Sequence, residues 1–151
     1  MAQSLCKLYI HVIFHIKTTS PNVLSDHLPR LHQYIGKIVN KTGSHVICVG
    51  GTDNHVHVLA MLAPTVTVAL LTEEMKRNSS RWIKTLSPHY EKFAWQAGYA
   101  AFSVSQSIIE KTTHYIQSQE DHHKKVSFRE EYLQFLQLYK IEYDERYVMS
   151  D

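Results

Sequence analysis

The chain has 151 residues, of which 44% are hydrophobic and 20% charged. That size and composition fit one ordinary globular domain and set it apart from the disordered and membrane classes. The formal net charge is only +2, so a nucleic-acid-binding role has to rest on local clusters of charge rather than on the whole surface. Cys6 and Cys48, with no C-x-x-C pair, fit a reducing compartment rather than a disulfide framework.

No run approaches the roughly 18 apolar residues of a membrane span. The apolar start, residues 1–17, is interrupted by His11, His15 and Lys17 and offers no small-residue cleavage site, so the expectation is a cytoplasmic protein without a membrane role. Residues 8–16 alternate: Leu8, Ile10, Val12, Phe14 and Ile16 on one face, and Tyr9, His11, Ile13 and His15 on the other. This predicts a half-buried strand. Leu28, Leu31, Tyr34, Ile35, Ile38 and Val39 recur at helical spacing, with Ser25 or Asp26 as cap and Gly43 just past the end. Two short strands, 44–49 and 55–62, flank the turn-forming residues 50–54 and predict a hairpin. A second helix over about 66–86 buries Leu70, Leu71, Met75, Trp82 and Ile83. A fourth strand over 93–104 carries Gly98 as a bulge or close-approach point. A third helix follows over about 105–122, and a fourth opens on Ser127 and Glu130 as a capping box and continues to Tyr139.

The order strand, helix, strand, strand, helix, strand predicts a single α+β domain over 1–151. It is of the ferredoxin-like split β-α-β type, with one antiparallel sheet, helices on one face and further helices at the C-terminus. The second sheet face is expected to be open to a ligand. The fold alone names no function.

Eleven histidines are the unusual feature of the composition, since imidazole is the commonest side-chain metal ligand. In Asn54-His55-Val56-His57-Val58 the strand period of two puts His55 and His57 on one face and the valines on the other. Two imidazoles on a rigid strand suit a metal; the competing reading is two solvent-facing histidines. His11 and His15 are too far apart to chelate one ion and read as flanking groups. On the third helix, Lys111, Tyr115 and Gln119 form one stripe at i, i+4 spacing. A phenol, with an ordinary pKa of about 10, needs a nearby cation to act as a nucleophile. The Gln119 amide oxygen would complete a metal site with His55 and His57 beside it. An ordinary amphipathic helix with a half-buried tyrosine is the alternative. A third group is basic and aromatic: Lys76, Arg77, Ser79, Ser80, Arg81 and Lys84 on the second helix, with Trp95, Gln96 and Tyr99 on the fourth strand. These types contact phosphates and stack on unpaired bases, or else form a solvated helix face and core aromatics. His122-His123-Lys124-Lys125 reads as an exposed helix end.

In order and spacing, these segments resemble the HUH-type single-tyrosine transposases of the insertion-sequence-two-hundred type and their REP-associated relatives. The resemblance is carried by His11-Val12-Ile13-Phe14 with Lys17 and Pro21, by Asn54-His55-Val56-His57, and by Met75-Lys76-Arg77-Asn78-Ser79-Ser80-Arg81-Trp82. It continues through Phe93 to Tyr99, Ala101 to Ser105, Tyr115-Ile116 with Gln119, and the closing segment to Tyr147. It implies an enzyme, a metal-dependent endonuclease and strand transferase, that cuts and rejoins single-stranded hairpin DNA. His55, His57 and Gln119 would hold one Mg2+ or Mn2+, and Tyr115 would form a 5′-phosphotyrosine. Two imidazoles and an amide are softer donors than magnesium prefers, so manganese is expected to serve better. Lys17, Lys76, Arg77, Ser80, Arg81, Trp95, Tyr99 and Lys111 are the expected DNA contacts, and a homodimer with shared active sites, nucleoid-associated when on DNA, the expected assembly. Thr19 stands where the family often has arginine. Ser118-Gln119 replaces the Asn-Pro of the REP-associated branch, which favours the mobile-element branch. The alternatives are a domesticated nucleic-acid-binding module without chemistry and a metal-dependent nuclease that uses water.

Overall fold

A computed structural model describes residues 2–151. Its centre is a four-stranded antiparallel sheet built from β1 (Leu8–His15), β2 (His45–Thr52), β3 (His55–Leu62) and β4 (Ala100–Val104), in the order β2-β3-β1-β4. Helices α1 (Leu28–Lys41) and α2 (Val68–Ile83) are the two crossovers expected of a ferredoxin-like split arrangement. They cover one face, where Val12 and Phe14 of β1 and Val56 and Val58 of β3 meet Leu31, Ile35, Leu71 and Met75. Each such fully buried side chain contributes about 1.5–3 kcal/mol of hydrophobic stabilisation.

Local signals account for most element ends. Thr67 caps α2 by accepting from the Leu70 amide at 3.0 Å, and Gly43 ends α1 with φ of 91°. Helix α1 begins at Leu28 after a single 3-10 turn, Ser25–His27, with no side-chain cap, in place of the expected Ser25 or Asp26 cap. The β2–β3 turn is tighter than expected: Gly50 and Gly51 lie within β2, and only Asp53 and Asn54 stand between the strands. Leu70, expected in the core, is 44% exposed, and Trp82 is half-buried and stacked on Tyr34 with ring centroids 4.5 Å apart.

Two departures matter for function. The expected 93–104 strand is interrupted. Trp95 bridges Ile16 as an isolated pair, and regular pairing resumes only at Ala100. Between them the Lys76 ammonium donates to the carbonyls of Ala97 (3.1 Å) and Gly98 (2.7 Å), which holds that stretch off the sheet. The expected 105–122 helix is likewise broken, into α3 (Ile109–Gln117) and the one-turn α4 (Gln119–His122). At the break the Ser118 hydroxyl donates back to the His114 carbonyl at 2.7 Å, a competitor to regular helical bonding that bends the chain.

The second sheet face is not open. Helices α3 and α5 (Phe128–Leu138) close over it, packing Ile116 against Cys48 and Leu59, and Tyr132 and Leu136 against Ile13, Ala100 and Phe102. Strand β1 is therefore buried on both faces. Gly50 makes the close approach of α3 possible: a Cβ there would lie 2.3 Å from the Ile116 carbonyl oxygen. Residues Tyr143, Val148 and Met149 of the tail extend this second layer. Among the described residues no helix is long and apolar enough to cross a membrane.

Candidate metal centre and nucleophile

Strand β3 presents His55 and His57 to the second layer, both at most 1% exposed, while Val56 and Val58 enter the first core. Each imidazole is held from behind at Nδ1. The Asn54 side-chain oxygen lies 2.8 Å from His55 Nδ1 and the Thr52 hydroxyl 3.1 Å from it; His11 Nε2 lies 2.7 Å from His57 Nδ1. The two Nε2 atoms thus face the same small space. This is the arrangement that fixes ring orientation in imidazole ligands. His11 is accordingly a flanking group, while His15 turns its Nδ1 to the Ile16 carbonyl at 2.7 Å.

The helical layer brings in the remaining groups. Gln119 Oε1 sits 2.9 Å from His55 Nε2, at the first position past the Ser118 break. Tyr115, one turn earlier, has its ring centroid 5.8 Å from that of His57. The tyrosine, the two strand histidines and the glutamine therefore converge within a single chain.

Two further side chains join them. Glu131 of α5 is 1% exposed; its Oε1 is 2.8 Å from His57 Nε2 and 3.7 Å from His55 Nε2. Its Oε2 accepts the hydroxyl of Tyr115 and lies 3.3 Å from His123 Nε2 and 3.2 Å from His122 Nε2. His123 Nε2 also lies 2.9 Å from Gln119 Oε1. The expectation of an exposed helix end at 122–125 fails for both histidines, because the break at Ser118 turns α4 inward; Lys124 and Lys125 remain exposed. A periodic signal for Glu131 is present in the sequence. Phe128, Tyr132, Phe135, Leu136 and Tyr139 form the apolar stripe of α5, and Glu131 falls inside it, where an acid is expensive to bury without partners.

Electrostatics follow from this burial. Desolvation, then the neighbouring charge of His57, pushes His55 down to about 3, so it is a neutral imidazole with a free lone pair at neutral pH. Burial first, then the hydrogen bond and negative charge of Glu131, push the Tyr115 phenol well above its ordinary range. Burial also works to raise Glu131, but hydrogen bonds from His57 and Tyr115 and the charge of His57 outweigh it and hold the carboxyl below the usual carboxylate range. The donor set fits a divalent cation: one ligand atom from each of His55, His57, His123 and Glu131 lies within 4.8 Å of the others, three imidazoles about one carboxylate. Two hollows, of about 510 and 280 Å3, meet at Asn54 and Phe128 beside this cluster; Lys124 lines the first and Lys17 the second.

The expected DNA contacts divide. Trp95 is 6% exposed, donates its indole N–H to the Ser79 hydroxyl at 2.9 Å and packs edge-on against Phe14 and Phe93. It is a core aromatic with no face free for a base, which corrects that expectation. Lys76 is committed to the 97–98 carbonyls, although it still borders a hollow of about 300 Å3 shared with Arg77 and Tyr99. Arg77 pairs with Glu73 and Glu74, Arg81 is exposed, Ser80 is half-buried and Tyr99 is 38% exposed. Lys111 is exposed on α3, which packs on the opposite side of the sheet from α2, so these groups do not form one flat patch.

Comparisons with known proteins bear on the fold and the family. Among solved structures, a putative transposase from Deinococcus radiodurans R1 superposes with a TM-score of 0.60 at 20% identity, covering 79% of this chain and 98% of that one. A REP-associated tyrosine transposase bound to a REP hairpin gives a TM-score of 0.60 at 12% identity, covering 83% of this chain and 74% of that one. No curated protein matches the chain. The family described as "Transposase IS200 like" matches residues 4–119, which span β1 through Gln119. The chain belongs to the IS200-like transposase family.

Proposed function

We propose that the protein is a single-tyrosine DNA transposase that cuts and rejoins single-stranded hairpin DNA. The Tyr115 oxygen attacks a backbone phosphorus, the bond to the 3′ oxygen breaks, and the 5′-phosphate remains on the tyrosine as an ester. A free 3′-hydroxyl of another strand reverses the step, since the phosphodiester bond energy is retained. His55, His57 and Gln119 would hold a divalent ion, Mg2+ or Mn2+, which would supply Lewis-acid polarisation of the phosphate and favour the phenolate. The observation that carries this reading is the convergence of the Tyr115 hydroxyl with the His55–His57 pair through Glu131. Within one chain the Tyr115 hydroxyl bonds to Glu131, which touches both imidazoles, and this supports a tyrosine that acts in its own subunit; a homodimer that exchanges the helices is the alternative assembly.

Substrate approaches through the hollows beside Asn54 and Phe128, where Lys17 and Lys124 offer positive charge to the backbone. Arg77 and Tyr99, around their shared hollow, with Ser80, Arg81 and Lys111, serve hairpin binding. Such a protein works in the cytoplasm, on DNA.

The test is a denaturing gel of the protein with labelled single-stranded hairpin DNA and Mn2+. The transposase gives a denaturant-resistant protein–DNA adduct that Tyr115→Phe abolishes while hairpin binding persists. Cleavage without an adduct assigns the attack to water. Binding without cleavage assigns the chain to a module that has given up chemistry.

A further inference from the structure

We propose that α5 and the turn before it supply a second half of the metal centre, with Glu131 as its anionic ligand and His123 as its third imidazole. This rests on the metal site read above and extends it. Glu131 and His123 both lie beyond residues 4–119, where the family match runs.

The geometry leaves little room for another arrangement. An ion bound to the Nε2 atoms of His55 and His57 at about 2.1 Å has neighbouring ligand atoms about 3–4 Å apart. Glu131 Oε1, at 3.7 and 2.8 Å from those two nitrogens, already stands in that shell. His123 Nε2 stands 3.3 Å from Glu131 Oε2 and 2.9 Å from Gln119 Oε1, and the four His and Glu ligand atoms fall within 4.8 Å of one another. Contraction of the longest of these separations by about an ångström closes the shell.

The burial of Glu131 points the same way. A carboxylate that is 1% exposed has lost its water, and imidazoles and a phenol are its partners among the described residues, with no lysine or arginine among them. Such a group is costly to leave without a positive charge. The sheet and helix layers have nevertheless placed it at the point where both strand histidines aim. A divalent cation supplies a fixed positive charge there, where an imidazole supplies one only when protonated.

The donor set also selects the ion. Three imidazoles with one carboxylate suit manganese, cobalt or zinc, whereas magnesium takes oxygen ligands and keeps its waters. The second Glu131 oxygen, bonded to the Tyr115 hydroxyl, ties the nucleophile to the ion through one side chain. Gln119 remains in the same shell as a further oxygen donor.

The experiment is metal binding by the full chain, stripped of metal and without DNA. Mn2+ affinity is read from the free-ion electron paramagnetic resonance signal, and ligand type from the visible bands of the Co2+ form. The expected result is one Mn2+ per wild-type chain. Glu131→Gln and His123→Gln each weaken binding by about tenfold or more, Glu131→Gln changes the Co2+ bands, and His57→Ala removes binding. Wild-type affinity and unchanged bands in both Glu131→Gln and His123→Gln, with binding still lost in His57→Ala, overturn this proposal and leave the His55–His57 site standing. No binding by wild type, or equal binding by His57→Ala, removes the metal site itself. His123→Gln, outside the packed stripe of α5, keeps the test open if Glu131→Gln fails to fold.

Discussion

His11 and His57 face each other across neighbouring strands, with Nε2 of the first 2.7 Å from Nδ1 of the second. When His57 Nδ1 carries the shared proton, His57 offers a lone pair at Nε2 to an ion, so a residue that never reaches the site favours the ligating tautomer. His11→Leu is expected to lower Mn2+ affinity by about tenfold to a hundredfold, as loss of an orienting partner does. His11→Asn, which restores a polar partner, is expected to recover part of it. Calorimetric titration of both variants checks this, and unchanged affinity in His11→Leu contradicts it.

Gly50 sets the height of the nucleophile helix over the sheet. A methyl group there meets the Ile116 carbonyl oxygen at 2.3 Å and its Cγ2 at 2.8 Å, and Ile116 is the residue after Tyr115. Gly50→Ala is expected to cost about 1–3 kcal/mol of stability through overpacking and to lower adduct formation more than hairpin binding. Denaturant unfolding alongside the adduct gel measures both, and a fully active, fully stable variant goes against the packing account.

Trp95 tests the division between core and DNA surface. Trp95→Phe keeps an aromatic ring but leaves the buried Ser79 hydroxyl without its indole donor, an expected loss of about 1–3 kcal/mol. Hairpin affinity of the folded variant is expected to equal that of the wild type, whereas Tyr99→Ala weakens it by about 1–3 kcal/mol if a base stacks there. A specific loss of DNA binding in a stable Trp95→Phe protein returns Trp95 to the interface.

The pH dependence of stability has a definite sign. Burial lowers His32 from 6.5 to about 4, and its Nε2 is buried without a hydrogen-bond partner. Burial, then the charge of His57, lowers His11 to about 3. Between these values and 6.5 the unfolded chain binds more protons than the folded one, so the stabilisation is fully present above 6.5 and declines as pH falls. The melting temperature of the metal-free protein is expected to drop from pH 6.5 towards 4, and His32→Leu to flatten that slope. A flat wild-type profile over this range counts against neutral buried histidines.

Much of this molecule is local enough to read from the chain. The period of two in residues 8–16 and 55–62, the helical spacing of Leu31, Ile35, Leu71 and Met75, and the glycine at 43 each act within a few residues. The β-α-β-β-α-β order and the shared face of His55 and His57 follow from them. The pairing of Tyr115 with Gln119 on one helical stripe was legible for the same reason, since four residues make about one turn.

What only the tertiary structure decided concerns groups joined by packing rather than by sequence distance. Whether Trp95 shows a face to solvent depends on Ser79 and Phe14, which come from two other segments, and on how Phe93 packs beside it. Whether residues 122–123 point out or in depends on a helix break that one serine hydroxyl promotes. Glu131 is the clearest case: an acid inside an apolar stripe looks like a misplaced surface residue until α5 is laid on β3. Only then do two imidazoles and a phenol from distant parts of the chain repay its desolvation.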